Sequence, residues 1–199
     1  MIRSQLQQGI IEIVSEPDKP FGPVHYLPHH PVIREDKTTT KLGIVYDASA
    51  KQDGPSLNEC LYTGPKSGQS ILDILLLFQV HEVAVVGDIE KAFLMITVVQ
   101  PDRDALRFLW FADVNDPQKS VAVMRFTRVI FGVSSSPFLL TATINHHMRK
   151  LLPDDQQFVD KFLRSIYVDD VTGGAHNIQS AYHFYTKSKS HLAKASFNL

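Results

Sequence analysis

The feature that most constrains the fold of this chain is a short apolar run, Val83 to Val86, that ends at Gly87 and Asp88. A continuous run of apolar, mostly β-branched residues of this length predicts a strand buried in a sheet. Such a strand carries Asp88 at its end, and the glycine before it allows a close approach of another part of the chain. The pattern therefore predicts a carboxylate at the edge of a core.

The remaining apolar segments are short and follow no regular strand–helix–strand alternation. This order predicts an α+β fold, with an antiparallel sheet and helices packed on one face. The segment from Ser70 to Phe78 is apolar on most sides and is expected to be a packed helix. The predicted helices are 6–14, 70–78, 136–152, 156–164 and 178–194, and the predicted strands are 24–27, 32–34, 42–47, 83–86, 106–111, 121–126, 165–168 and 171–172.

The charge of the chain gives little support to nucleic-acid binding. The formal net charge is -1, whereas a nucleic-acid-binding domain usually has an excess of basic residues. Local lysines could still supply phosphate contacts. Lys187, Lys189 and Lys194 on the last predicted helix form a modest basic face, or equally an ordinary solvated one.

The expected environment is intracellular, with a soluble, cytoplasmic protein and the nucleus as the alternative. The single cysteine, Cys60, cannot form an internal disulfide, which fits a reducing compartment. No signal-peptide pattern is visible at the N-terminus. The most apolar stretch, Ile71 to Val80, is about half the length that a membrane span needs.

Two adjacent aspartates, Asp169 and Asp170, stand between apolar residues and indicate a charged hairpin turn. Like charges in one place repel unless a cation holds them, and Mg²⁺ prefers carboxylate oxygens. If the strand of Asp88 lies beside this hairpin, three carboxylates converge and can hold two divalent ions about 3.5–4 Å apart, as in-line phosphoryl transfer requires. Taken singly, an Asp-Asp pair is more often a surface turn, and an aspartate after a strand often caps a helix.

The segment Tyr167-Val168-Asp169-Asp170 resembles the signature box of reverse transcriptases. The chain around it is similar to the polymerase region of the Bel-Pao class of LTR retrotransposons. The resemblance implies a right-hand polymerase with fingers at 1–67 and 95–132, palm at 68–94 and 133–199, and the thumb absent. The stretches that carry it run from Val24 to Val32, Val45 to Ser49, Asp88 to Leu94, Arg107 to Trp110 and Phe126 to Phe138.

The resemblance implies that Asp88, Asp169 and Asp170 are the catalytic, metal-binding carboxylates. Two Mg²⁺ ions, with Mn²⁺ as an alternative, are the implied cofactors. Ile89 would add its backbone carbonyl to one ion, and Tyr167 and Val168 would lie near the primer end.

Further residues match the family's nucleotide-binding positions. Phe93 corresponds to the residue beneath the incoming sugar, where a ring would clash with a 2′-hydroxyl and select deoxynucleotides; a plain core aromatic is the other interpretation. Phe131 and Gly132 match the loop that lines the nucleotide pocket.

Two positions depart from the family pattern. Gly43 stands where many relatives carry a basic residue that contacts the incoming triphosphate, and Lys41 is the cation that remains nearby, a candidate nucleotide-binding residue. Loss of such a charge-assisted contact costs on the order of 1.5–3 kcal/mol. Met95 stands where relatives often have a glutamine, so a polar contact to template or nucleotide is not expected there.

The implied function is an RNA-directed DNA polymerase that transfers a nucleotide from a dNTP to a primer 3′-hydroxyl. Its partners would be an RNA or DNA template–primer, dNTPs and other regions of a retrotransposon polyprotein, with no membrane. The alternative is a catalytically silent remnant that binds nucleic acid weakly or not at all, which Gly43, Met95 and the absent thumb favour. An unrelated two-metal phosphohydrolase remains if the resemblance is set aside.

Other charged groups point to no site. The adjacent pairs His29-His30 and His146-His147 lack the i,i+4 spacing of two ligands on one helix face. Arg103 and Asp104 follow Pro101 and are predicted to lie in a solvated turn.

Overall fold

The computed structural model describes residues 1–15, 20, 22–33, 42–65, 70–112 and 121–199, the side chain of Pro153 excepted. The chain divides into two compact units of two segments each. The first unit is Met1–Tyr62 with Thr97–Ser136, and the second is Thr63–Ile96 with Pro137–Leu199. The same alternation was predicted for fingers and palm, and the assignment of those names stays a prediction.

The elements follow the chain in a mixed order of helices and strands. In that order they are α1 (Ile2–Gln7), β1 (Ile11–Ile13), β2 (His29–Ile33), β3 (Leu42–Tyr46), α2 (Leu57–Cys60), α3 (Ile71–Gln79), β4 (Val83–Asp88), 3-10 helices Ala92–Met95 and Gln100–Leu106, β5 (Arg107–Phe111), β6 (Val121–Phe126), α4 (Ser136–Arg149), α5 (Leu152–Arg164), β7 (Ile166–Tyr167), β8 (Asp170–Ala175) and α6 (Ile178–Lys194).

The first unit contains two antiparallel sheets, with strand orders β1-β6-β5 and β2-β3. Aromatic rings form part of its core. The ring of Tyr46 lies 5.1 Å from that of Phe108 and 4.8 Å from that of Phe126, in edge-to-face arrangements. Such pairs add about 0.5–1.5 kcal/mol beyond the burial of their area.

The second unit is built on an antiparallel sheet of order β4-β8-β7. Helix α6 packs against β8 and β4, and α3 packs against β8 and β7. Gly173 in β8 makes close packing of α6 possible, because a Cβ there would lie 2.8 Å from Cε1 of Phe184. The mixed architecture with antiparallel sheets confirms the predicted α+β class.

The predicted helix at 6–14 is wrong. Helix α1 ends at Gln7, Gly9 has a φ of 65°, and residues Ile11–Ile13 form β1. Strand β1 pairs with β6, with Ile11 opposite Phe126. Pairing with a strand far along the chain therefore outweighs the local helical pattern.

Two segments are less buried than their apolar sequences predict. In β4 the residues alternate between half-buried and exposed, and Val86 is 66% exposed. In α3 only Ile74 is buried, while Leu72 and Leu76 are 61% and 55% exposed.

Among the described residues, no helix combines the length and the apolar character required to cross a membrane.

Candidate active site

Asp88 lies at the end of β4, as the apolar run before it predicts. The residue before it, Gly87, is closely packed, since a Cβ there would lie 3.0 Å from Cδ1 of Leu199. A side chain at residue 87 would require Leu199 to move. The glycine thus lets another segment lie directly against the strand end that carries Asp88.

Asp169 and Asp170 belong to the β7–β8 hairpin. Tyr167 and Asp170 are paired across it, so Val168 and Asp169 form a two-residue turn. The φ of Val168 is 55°, a left-handed conformation that is strained for a β-branched residue. Such strain costs on the order of 1–3 kcal/mol and persists only where the surroundings enforce it.

The sheet register brings the two chain segments together. Asp88 and Asp170 are opposite one another in the β4–β8 pair, and side chains of opposite residues in an antiparallel pair project from the same face. The N–H of Ile89 donates a hydrogen bond to the carbonyl of Asp169 at 2.9 Å. All three aspartates therefore lie on neighbouring backbone segments at one end of this sheet.

The electrostatics reflect this crowding. Partial burial, followed by the negative charges of Asp169 and Asp88, raises the pKa of Asp170 above its usual value. Within the described part of the chain, no lysine or arginine forms an ion pair with any of the three aspartates. The arrangement is an uncompensated negative site, which attracts cations.

The carboxylates suit Mg²⁺ in the chemistry of their donor atoms and in their backbone positions. Their side chains are not gathered into a finished ligand set, since the described residues contain no group of three or more Asp, Glu, His or Cys side chains that could hold a metal ion as they stand.

The other predicted residues of the second unit lie close to this site in the chain but differ in exposure. Ile89 is buried, and its carbonyl accepts a hydrogen bond from the N–H of Ala92 at 3.2 Å. Phe93 is buried in the short helix Ala92–Met95, as expected for a core aromatic. Tyr167 is 40% exposed beside the hairpin turn.

The remaining predicted nucleotide-binding residues belong to the first unit. Phe131 is 81% exposed. Gly132 has a φ of 91°, and its carbonyl accepts a hydrogen bond at 3.0 Å from the side-chain amide of Asn58. Gly43 lies in β3 opposite Val32. Lys41 lies outside the described residues.

Comparison with solved structures identifies the architecture. The foamy viral protease-reverse transcriptase in complex with an RNA/DNA hybrid matches 98% of this chain with a TM-score of 0.68 and 18% identity. The dRH form in complex with double-stranded DNA matches 99% with a TM-score of 0.70 and 19% identity, as does a Prototype Foamy Virus protease-reverse transcriptase mutant. The chain has the fold of a segment of a protease–reverse transcriptase.

The matched segment is a small part of those proteins, since the chain spans 21%, 29% and 22% of their lengths. Protein-family models and curated protein sequences give no match. At these identities, the likeness to the reverse transcriptases is one of fold.

Glu90 and Asn198 belong to no motif that assigns them a role from the sequence. The side-chain amide of Asn198 donates to Oε2 of Glu90 at 2.9 Å, although the two residues are 108 positions apart. Glu90 lies two residues after Asp88. This proximity is the one feature of the sequence that associates Glu90 with the candidate site. The partnership itself has no local pattern, because it depends on the return of the chain after α6.

Proposed function

We propose that this chain is the fingers-and-palm part of a reverse transcriptase, which extends a primer 3′-hydroxyl with a deoxynucleotide. The observation that carries the proposal is the β4–β8 register, which sets Asp88 opposite Asp170 with Asp169 in the adjoining turn. The fold of a protease–reverse transcriptase segment supports it. Membership of the Bel-Pao class is proposed from the sequence stretches alone.

Asp88, Asp169 and Asp170 would hold the divalent cations, Mg²⁺ being the expected ion. When bound, the ions supply a lowered pKa for the attacking hydroxyl and charge stabilisation for the leaving pyrophosphate. The chain's own contribution is to hold the three carboxylates on neighbouring backbone segments before any cation binds. Asp88 is opposite Asp170 in paired strands, and Asp169 lies in the adjoining turn. No side chain need act as a nucleophile, because the primer hydroxyl has that role.

The partners proposed for the chain are a template–primer and dNTPs. The matched foamy viral proteins were determined with an RNA/DNA hybrid and with double-stranded DNA, which supports a nucleic-acid partner here. Phe93, Phe131, Gly132 and Lys41 are proposed as nucleotide-binding residues on the family resemblance, and their roles stay predictions.

Primer extension tests the proposal directly. Asp169→Asn keeps the size of the side chain but removes the charge that a divalent cation requires. We expect extension of a labelled primer with Mg²⁺ to fall at least about a thousandfold, as loss of several kcal/mol of metal-dependent stabilisation implies. Asp160→Asn, an exposed aspartate on α5 in the same unit, is the matched control and should retain activity. Full extension by Asp169→Asn would refute the assignment.

A catalytically silent fragment is the second candidate. It is favoured by the side-chain arrangement, in which no metal-binding group of three is assembled among the described residues, and by Gly43 at a position where many relatives carry a basic residue. A Mg²⁺ titration with and without template–primer separates the two functions. The polymerase binds Mg²⁺ and extends the primer, whereas the silent fragment does neither at millimolar Mg²⁺.

A further inference from the structure

The residues that follow α6 form a short tail segment, Phe197 to Leu199, which lies along the strand end that carries Asp88. The φ of Ser196 is 64°, a left-handed conformation two residues after the end of α6. Phe197 is 3% exposed, and its N–H donates to the carbonyl of Leu192 at 3.0 Å. The tail segment is thereby anchored to the last turn of α6.

The tail segment contacts the chain on both sides of Asp88. Before it, Leu199 packs against Gly87. After it, the N–H of Glu90 donates to the carbonyl of Asn198 at 2.8 Å, and the side-chain amide of Asn198 donates to Oε2 of Glu90 at 2.9 Å. Asn198 therefore binds both the backbone and the side chain of one residue.

The opposite side of the same turn is held by the hairpin. The N–H of Ile89 donates to the carbonyl of Asp169, so two consecutive amides bind two different segments. The turn after Asp88 is fixed between the hairpin and the tail segment. A shift of either support would change the direction in which the Asp88 carboxylate projects.

We infer that Asn198 is a positioning residue, which holds the Asp88–Lys91 turn and so keeps Asp88 at the same end of the sheet as Asp169 and Asp170. The inference rests on the proposed function, because it concerns the same three carboxylates. Asn198 acts through Glu90 and is not itself proposed to contact substrate. A hydrogen bond from a neutral amide to a carboxylate is of the stronger, charge-assisted kind. Such a bond suits a contact that fixes the conformation of a turn.

Removing the hydrogen bond, and then restoring it with donor and acceptor exchanged, tests this role. In Asn198→Asp, two carboxylates face one another and repel, and the turn loses its side-chain support. We expect kcat for primer extension to fall about ten- to a hundredfold, since a displacement of about 1 Å at a reacting group can cost a hundredfold. The KM for dNTP should change much less. Glu90→Gln alone should lower kcat less than Asn198→Asp does, because the amide of Asn198 can still donate to the glutamine oxygen although the acceptor is no longer charged.

The double variant Asn198→Asp with Glu90→Gln restores a hydrogen bond, in which the new side-chain amide at position 90 is the donor. We expect it to recover kcat to within about threefold of wild type. Gln8→Glu is the matched control, since the amide of Gln8 also donates to a side-chain oxygen, that of Ser4 at 3.1 Å, and it should leave kcat unchanged. A double variant no better than Asn198→Asp, or an Asn198→Asp loss explained by its unfolded fraction at the assay temperature, would overturn the inference.

Two measurements on the full chain need no catalysis and keep the inference separate from the proposed function. Amide hydrogen exchange at Glu90 should be faster in Asn198→Asp and return in the double variant. Binding of Mn²⁺ alone, followed by electron paramagnetic resonance, should weaken and recover in parallel. A wild-type chain that fails to extend primers refutes the proposed function alone, whereas unchanged exchange and Mn²⁺ binding in Asn198→Asp refute the positioning role.

Discussion

One acidic site in each unit shows the contrast between paired and unpaired carboxylates. In the first unit, Asp104 is completely buried, and its Oδ1 accepts hydrogen bonds from Arg107 at 3.0 Å and from Arg125 at 2.7 Å. In the second unit, Asp88, Asp169 and Asp170 lie side by side with no basic partner among the described residues. The carboxylate of Asp104 is paired with two arginines, whereas the three aspartates of the second unit have no basic partner among the described residues.

The pKa directions express this contrast. Burial acts to raise the pKa of Asp104, but the hydrogen bonds from Arg125 and Arg107 outweigh it and hold the pKa below its usual value. Burial also raises the pKa of Asp170, and there the neighbouring aspartates raise it further. A carboxylate with arginine partners is a structural group, whereas a set of unpaired carboxylates is a candidate functional site.

The arginines themselves need Asp104. Arg107 and Arg125 are directly opposite one another in the β5–β6 register, where like charges would repel. Asp104 lies between them, and Glu12 extends the cluster by accepting from Nε of Arg125 at 2.6 Å. We call these residues, with Arg103, the ionic cluster.

The largest expected effect comes from breaking the ionic cluster at its centre. Asp104→Asn leaves two buried arginines without their shared counter-charge, which should cost about 3–5 kcal/mol of unfolding free energy. Urea denaturation measures it. Asp102→Asn, an exposed neighbour on the same short helix, should change the midpoint little. Equal effects of the two variants would show that the cluster does not stabilise the first unit.

Removing one carboxylate of the second unit should have the opposite consequence for stability. Asp88→Asn is expected to reduce primer extension about a hundred- to a thousandfold, while the melting temperature stays the same or rises, because a like-charge repulsion is removed. Calorimetry and an extension gel on one preparation measure both. A clear fall in melting temperature would indicate that Asp88 has a structural partner.

The pH dependence of stability should reflect Asp104. Its folded-state pKa is depressed, so its contribution is present above the unfolded value of about 3.9 and is lost as pH falls through the folded pKa. Urea midpoints of wild type should therefore fall below about pH 4. The difference in urea midpoint between wild type and Asp104→Asn should become smaller over the same pH range. A constant difference in midpoint down to the lowest pH would contradict a stabilising role of the ionised Asp104.

The smallest effect is expected at the rim of the ionic cluster. Nη1 of Arg103 lies 3.3 Å from Oε2 of Glu12, and both side chains are partly exposed. Such a pair contributes about 0–1 kcal/mol, so Arg103→Ala should shift the urea midpoint slightly. A loss as large as that of Asp104→Asn would mean that the cluster works as one unit out to its edge.

Local patterns predicted some elements well. The final helix, predicted at 178–194, is observed as α6 (Ile178–Lys194). Its start is marked by Asn177, whose side chain accepts from the N–H of Ser180 at 2.8 Å. Strands β5 (Arg107–Phe111) and β6 (Val121–Phe126) also lie where strands were predicted, at 106–111 and 121–126. In these segments side-chain periodicity and capping are properties of neighbouring residues, so the sequence contains them.

The environment of Asp104 differs from the one predicted from its local sequence. Asp104 was predicted to lie in a solvated turn, yet it is the most completely buried charge of the described chain, with 0% exposed. Its partner Arg125 is 21 positions away and Glu12 lies near the N-terminus. No local pattern distinguishes a buried aspartate with distant arginine partners from one in a loop.

The basic face predicted on α6 has a similar outcome. Lys187 forms an ion pair with Asp155 and lies over the ring of Phe158. Lys189 lies over the ring of Tyr185. Lys187 and Lys189 thus already have partners within the chain. The face is therefore less available for phosphate contacts than its lysine content indicates.

The sequence by itself determined which residues are candidates for chemistry: one aspartate after an apolar strand and two in a short turn between strands. It also determined the α+β class. The candidate residues and the fold class both follow from the order and periodicity of neighbouring residues. Only the tertiary structure decided that Asp88 is opposite Asp170, that Asp104 is buried, and that Asn198 supports Glu90. Each of these depends on long-range pairing, whose energy comes from contacts between segments that no local pattern encodes.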